Sequence, residues 1–153
     1  MTTTYGTSSG TAASIGARIA LTLLGAAGLI VGAFFDWTRS IQGTKLDMRA
    51  LWMTDFRTTE TFVSTVGFAM IVIGLLAVVG LAMGTGWLTR LAGAVALVGF
   101  VLFAIEVYRS SADEMIGAGA WIALASGIVL LIAGFFGPRQ VITAPTNTVI
   151  VDE

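Results

Sequence analysis

The chain alternates between long apolar stretches and short polar segments. The longest apolar stretch, residues 61–89, runs for 29 positions without a charge, and Gly84-Thr85-Gly86 divides it into two spans. About 20 consecutive apolar residues suffice for one helix to cross a bilayer. The pattern therefore predicts an all-α membrane protein, a bundle of four transmembrane helices at about residues 14–36, 62–83, 87–108 and 115–136.

The segments that flank these helices are polar. Residues 1–13 are small and polar and present no hydrophobic face, which predicts a flexible N-terminal tail. Gly137-Pro138 ends the last helix, because proline cannot continue its hydrogen bonding. The predicted transmembrane domain therefore covers residues 14–137, and residues 138–153 form a C-terminal tail.

A cleaved signal peptide is the alternative interpretation of the first apolar stretch. Its uncharged run, residues 19–35, is 17 residues long, which exceeds the usual core of a signal peptide. Asp36-Trp37-Thr38-Arg39 follows in place of a cleavage site with small residues. Both observations favour a retained helix.

The amino-acid composition limits both the reactions that the chain can catalyse and the environment in which it can fold. With 56% hydrophobic and 11% charged residues, the 153-residue chain has more apolar surface than a soluble domain of this size buries. It contains no cysteine and no histidine, which excludes disulfides, zinc sites built on those side chains, and Ser-His or Cys-His catalysis. We therefore expect no enzymatic activity, no cofactor and no metal. A net charge of −1 provides no basic surface for nucleic acid.

Four crossings would place both termini on one side of the membrane and two loops on the other. The terminus side carries three basic residues and the loop side five, and this count taken alone favours cytoplasmic loops. The five basic residues of the loop side are interleaved with acidic ones, so that both orientations stay open here. The basic residues are Arg18, Arg90 and Arg139 on the terminus side, and Arg39, Lys45, Arg49, Arg57 and Arg109 on the loop side.

The first loop holds two of the four tryptophans and most of the charge. If residues 46–56 are helical, one face of that helix is apolar and could lie at the membrane surface. Three interpretations are open for this loop: an interfacial anchor, a docking platform for a partner, or a lid over the bundle. The candidate interaction residues are Trp37, Met48, Leu51, Trp52 and Phe56.

Two ionisable residues, Arg90 and Glu106, lie within the third predicted helix. A charge inside a span is a functional candidate. The two residues are 16 positions apart, roughly 24 Å along a helix, so each can also extend its side chain outward to the nearer membrane surface. Both readings, an intramembrane site and simple snorkelling, remain open.

Glycines are dense in the predicted helices and spaced for close packing. Lipid provides no hydrophobic drive between helices, so small residues that allow close backbone contact must hold a bundle together. The glycines can serve the bundle itself or a face for another subunit. The candidate packing residues are the GxxxG pair Gly28 and Gly32, and two pairs at a seven-residue interval, Gly67 with Gly74 and Gly127 with Gly134.

The layout Phe34-Phe35-Asp36-Trp37, a charged loop with Trp52, and three further glycine-rich spans resembles the small four-helix membrane proteins of actinobacteria. The likeness covers the whole chain in layout and rests on no specific motif. It implies a plasma-membrane protein with cytoplasmic termini and no assigned catalytic residue.

Together these observations predict a non-enzymatic, accessory or structural membrane subunit. Its expected partners are membrane lipid and either another membrane protein or a second copy of this chain. The alternative is a small transporter or channel component that uses Glu106 or Arg90. A lipid-modifying enzyme that uses acidic residues of the first loop has less support, because no paired carboxylates or metal-ligand spacing stand out there.

Overall fold

A computed structural model of the chain describes residues 9–110 and 115–136. Within these ranges the protein is all-α and contains no strand, as the sequence predicted, with three isolated β-bridges in the first loop. Two short 3₁₀ turns, Met48–Leu51 and Phe62–Ser64, lie in the same connection. The four α-helices are α1 Ser9–Phe34, α2 Val66–Ala82, α3 Gly86–Arg109 and α4 Ala118–Phe135.

The helices form an antiparallel ring in chain order. Each helix packs against the next one, and α4 closes the ring by packing along α1. The tight turn between α2 and α3 is made at Gly84, whose φ of 70° favours glycine. The start of α1, the α2–α3 turn and the end of α4 therefore lie at one end of the bundle, which we call the terminus end. The opposite end is the loop end.

Three of the four helices are long and apolar enough to cross a membrane: Ala13–Phe34 within α1, Gly86–Arg109 and Ala118–Phe135. The remaining helix, α2, is apolar but has 17 residues, or about 26 Å, slightly less than the roughly 30 Å of bilayer hydrocarbon. Large apolar side chains are exposed on all four helices, including Leu24, Leu75 and Val98. This surface is consistent with a membrane protein.

The observed helix boundaries differ from the predicted ones for local reasons. Helix α1 begins at Ser9, so residues 9–13 belong to it and not to the predicted tail. Helix α2 begins at Val66, because the Thr65 hydroxyl accepts a hydrogen bond from the Phe68 amide (3.1 Å) and caps the helix there. Residues 1–8 and the predicted C-terminal tail, 138–153, lie outside the described residues.

Helix α4 begins at Ala118 and not at residue 115. The amides at its start donate hydrogen bonds to the carbonyls of the two residues that soon follow α1. The Gly117 amide donates to the Trp37 carbonyl (2.7 Å), and the Gly119 amide donates to the Asp36 carbonyl (2.8 Å). Amides in the first turn of a helix have no partner within the helix. The chain that leaves α1 therefore satisfies the N-terminus of α4.

Glycines bring the helix backbones into direct contact. A Cβ atom added at Gly119 in α4 would lie 2.6 Å from the Gly32 carbonyl oxygen of α1, and one added at Gly93 in α3 would lie 2.7 Å from the Leu131 amide of α4. Of the six predicted packing glycines, Gly67 differs, because it packs on Gly43 and Thr44 of the first loop. The other five, Gly28, Gly32, Gly74, Gly127 and Gly134, each face a neighbouring helix.

Two glycines of α3 allow a direct test of this packing. Gly93→Ala forces a methyl group against α4 backbone, whereas Gly99→Ala meets only the flexible end of Met70, at 3.2 Å. Both substitutions bring the same gain in helix propensity. We expect Gly93→Ala to lower the free energy of unfolding by about 1–3 kcal/mol relative to Gly99→Ala. Thermal unfolding of both variants in one detergent measures the difference, and equal stability would contradict the packing described.

Candidate functional site

The first loop folds into an ordered cap on the loop end of the bundle. We define the cap as residues 36–65. Three antiparallel bridges organise it: Asp36 with Gln42, Leu46 with Thr58, and Asp47 with Thr65.

Two further bonds tie the cap to α2. The Val66 amide donates to the Leu46 carbonyl (3.0 Å), and the Gly67 amide donates to the Gly43 carbonyl (2.7 Å). The cap is therefore a fixed part of the fold that begins where α1 ends and finishes where α2 starts.

Trp37 joins the cap to the bundle. It is the largest fully buried side chain among the described residues, so the prediction that it contacts a partner is wrong. Its indole Nε1 donates to the Gly32 carbonyl (3.0 Å), one of the last carbonyls of α1, which also accepts a hydrogen bond from the Phe35 amide (3.3 Å). Its ring meets Phe103 of α3 edge to face, with 5.2 Å between centroids.

The predicted helix over residues 46–56 does not form. Only Met48–Leu51 are helical, as a 3₁₀ turn that Asp47 caps by accepting a hydrogen bond from the Arg49 amide (2.8 Å). Pairing of the flanking residues Leu46 and Asp47 with the second half of the cap prevents a longer helix.

The predicted apolar face is consequently divided between the core and the surface. Phe56 is partly buried and packs edge to face on Phe103, with 6.1 Å between centroids. Met48 and Leu51 are partly buried, whereas Trp52 is 54% exposed. Of the five candidate interaction residues, Trp52 is therefore the one that the structure leaves on the surface.

The exposed part of the cap is apolar at two places. Trp52 and Met53 follow the first 3₁₀ turn, and Phe62 and Val63 lie in the second. All four side chains are between 46% and 62% exposed. Phe62 also borders a polar cleft of about 420 Å³, whose lining residues are Thr44, Lys45, Thr58, Thr59, Glu60 and Phe62.

Arg90 and Glu106 lie at opposite ends of α3 and in different environments. Arg90 is exposed at the terminus end, where its Nε donates to the Gly134 carbonyl (2.8 Å) and its guanidinium lies 4.6 Å from the centre of the Phe135 ring. Glu106 is buried at the loop end and forms an ion pair with Arg109 (3.4 Å). The structure does not bring the two charges together.

Comparisons with known protein families, with curated proteins and with solved structures give no match for this chain. The likeness to actinobacterial four-helix proteins therefore stays a prediction. In the described part of the chain, no three acidic residues lie close enough together to hold a metal ion.

Sequence reasoning missed Arg18, which is 5% exposed. In the sequence it counted only as one of the basic residues of the terminus side. A signal was present, because Arg18, Thr22, Gly25, Leu29 and Gly32 follow each other at three- and four-residue intervals along one helix face. Both glycines of that face contact α4, so the face points into the bundle.

The role of Trp37 can be separated from that of Trp52. We expect Trp37→Ala to lower the free energy of unfolding by about 3–5 kcal/mol, because it removes a buried ring and leaves the Gly32 carbonyl without its side-chain donor. Trp52→Ala, at an exposed position of the same cap, should change it by less than about 0.5 kcal/mol.

Unfolding in detergent measures both, and trypsin cleavage at the exposed Arg49 and Arg57 reports on the cap itself. Trp37→Ala should accelerate that cleavage and Trp52→Ala should not. Equal cleavage rates in the two variants would show that Trp37 does not hold the cap.

Proposed function

We propose that this chain is a non-enzymatic integral membrane protein that crosses the bilayer four times and acts as an accessory subunit, binding another membrane protein through its cap. The observation that carries this proposal is the exposed Trp52 and Met53 on an ordered cap. Buried Trp37 fixes the cap in one position, so that these side chains are presented without an ordering cost at the moment of binding.

The composition of this surface supports a protein partner. Tryptophan and methionine are enriched at protein interfaces, and a tryptophan that is half exposed offers a large apolar area for one contact. The neighbouring pair Arg57 and Asp55, 2.8 Å apart and exposed, can form a polar rim. Lipid is the alternative occupant of the same surface, because tryptophan is also enriched at the membrane interface.

The transport alternative has less support. It requires Arg90 and Glu106 to line a common path, but they lie at opposite ends of α3 and each already has a partner within the bundle. Between them the helices touch backbone to backbone at Gly93 and Gly127. Where α3 and α4 meet, this packing leaves no space for a path between them.

Site-specific crosslinking can identify the occupant of the cap. A photoreactive amino acid at position 52 should give one stoichiometric protein adduct in native membranes. The same group at Val98, exposed on the apolar side of α3, should give lipid adducts only. Met53→Ser beside the photoreactive residue should weaken the protein adduct and leave the unfolding temperature unchanged.

The opposite results would contradict the proposal. If position 52 crosslinks to lipid alone, the cap is an interfacial anchor. If it crosslinks to a second copy of this chain, the protein is a self-assembling one. Transport into reconstituted vesicles that is lost in Glu106→Gln would favour the transporter alternative.

We also propose a plasma-membrane location with cytoplasmic termini. Among the described residues, the terminus end carries Arg18 and Arg90 and no acidic residue. At the loop end, five acidic residues accompany the five basic ones. The terminus end therefore has a net positive charge. The positive-inside rule counts basic residues alone and favours the opposite orientation, so the proposal is supported by the net charge and by the likeness to actinobacterial proteins.

The absence of cysteine makes the orientation simple to measure. Ser40→Cys in the cap and Thr85→Cys in the α2–α3 turn place single thiols at exposed positions of the two ends. A maleimide that cannot cross membranes should label Ser40→Cys in intact cells, and Thr85→Cys only after permeabilisation. The reverse pattern would place the cap in the cytoplasm.

A further inference from the structure

The terminus end of the bundle contains a group of buried polar atoms that lack partners. In the described part of the chain, four buried side-chain nitrogen or oxygen atoms have no hydrogen-bond partner. They are Nε and Nη2 of Arg18, Oγ1 of Thr22 and Oγ1 of Thr89. Arg18 is 5% exposed and the two threonines are fully buried. Unpaired polar groups in a protein interior are uncommon and call for an explanation.

Helix packing places these three residues in the same end of the bundle. Thr22 follows Arg18 by one turn on the same face of α1. Gly74 of α2 contacts the Ala26 carbonyl of α1, and the antiparallel arrangement brings Gly80 of α2 to the level of Thr22.

Gly80 also faces Thr89 of α3, since a Cβ atom added there would lie 3.2 Å from the Thr89 hydroxyl oxygen. Both hydroxyls therefore lie at one level of the bundle, one turn deeper than the guanidinium of Arg18.

The two unpaired nitrogens of Arg18 form one edge of its planar guanidinium. The third nitrogen, Nη1, donates to the Gly84 carbonyl (3.2 Å) in the α2–α3 turn and fixes the orientation of the group. The Nε and Nη2 edge is the one with which arginine binds two oxygens of a phosphate or carboxylate side by side. The geometry thus presents a two-donor fork that has no hydrogen-bond partner among the described residues.

No described residue can neutralise this cation. The acidic residues within the described ranges all lie at the loop end, on the far side of the bundle: Asp36, Asp47, Asp55, Glu60 and Glu106. The nearest other charge at the terminus end is Arg90, which is also a cation and is already held by the Gly134 carbonyl and the Phe135 ring. A buried charge without a counter-charge is strongly unfavourable. An anion from outside the bundle resolves this.

We propose that the fork of Arg18 binds the phosphate of an anionic phospholipid, and that the buried hydroxyls of Thr22 and Thr89 make the interior beneath this site polar. The position fits a lipid headgroup. Arg18 lies five residues inside the apolar span that begins at Ala13, and its side chain points back toward the helix start, where it meets the α2–α3 turn. Residues 82–85 of that turn are all exposed and border the site.

This inference requires the membrane location proposed above but not the partner at the cap, which lies at the other end. Native mass spectrometry of the full chain in mild detergent, with phosphatidylglycerol or phosphatidylcholine added, counts bound lipids. Unfolding temperature in the same lipids, or with inorganic phosphate alone, gives a second readout. The variants are Arg18→Gln, Arg18→Lys and Thr22→Val with Thr89→Val. Arg90→Gln is the matched control at the same end.

We expect one phosphatidylglycerol adduct in the unmodified chain and in Arg90→Gln, together with a higher unfolding temperature than in phosphatidylcholine. Arg18→Gln should weaken this binding about tenfold or more, as expected for the loss of paired charge-assisted hydrogen bonds. Arg18→Lys keeps the charge but lacks the fork, so it should also bind phosphatidylglycerol more weakly than the unmodified chain. The affinity of the double threonine variant should lie between those of the unmodified chain and Arg18→Gln. If Arg18→Gln does not fold, Arg18→Lys is compared with Arg90→Gln. Weaker binding of phosphatidylglycerol by Arg18→Lys supports the proposal, and equal binding contradicts it.

Three results would overturn the proposal. The first is equal binding of the two lipids by the unmodified chain, and the second is a rise in unfolding temperature with inorganic phosphate that matches the rise with phosphatidylglycerol. The third concerns the chain's own acids, Asp152 and Glu153. If phosphatidylglycerol binds only after both are changed to their amides, the fork is occupied by the protein itself.

Discussion

The helices of this bundle are held together by backbone contact at glycine, and the rest of the structure depends on that contact. Where lipid surrounds helices, burying apolar side chains against each other gains little over burying them in lipid. In a membrane, close approach is therefore the main source of stability, and Gly32 with Gly119 and Gly93 with Leu131 show how close the backbones come. The charged side chains of the described residues lie at the two ends of this packed bundle.

At the loop end, one side chain, Trp37, holds the cap in place on the packed helices. The Trp37 indole donates a hydrogen bond to a carbonyl at the end of α1, and its ring packs on Phe103 of α3. Its own carbonyl accepts a hydrogen bond from the Gly117 amide, directly before α4. Three helices are thus joined at one residue, and the cap that begins there is ordered. An ordered cap with exposed Trp52 is a better basis for specific binding than a flexible loop would be, because less conformational freedom is lost on association.

The two ends differ in charge, and this difference links the proposals. At the loop end acidic and basic residues accompany each other, as in Arg57 with Asp55 and Arg109 with Glu106. At the terminus end the described charges are Arg18 and Arg90, and only Arg90 has its side chain satisfied by neighbours. A protein partner at one end and an anionic lipid at the other would give this small bundle a fixed orientation and a fixed place in the membrane.

The sequence by itself determined the number of helices, their approximate bounds and their apolar character, because uncharged runs of this length leave the backbone few alternatives to a helix. It also indicated glycine packing, since those residues recur at helical intervals. Tertiary structure alone decided which side chains face inward. The cap could not be predicted, because Leu46 and Asp47 pair with residues more than ten positions away and so prevent the local helix. The burial of Trp37 and of Arg18 could not be predicted for the same reason. It depends on the helices and turns that these side chains contact, and no local pattern specifies those neighbours.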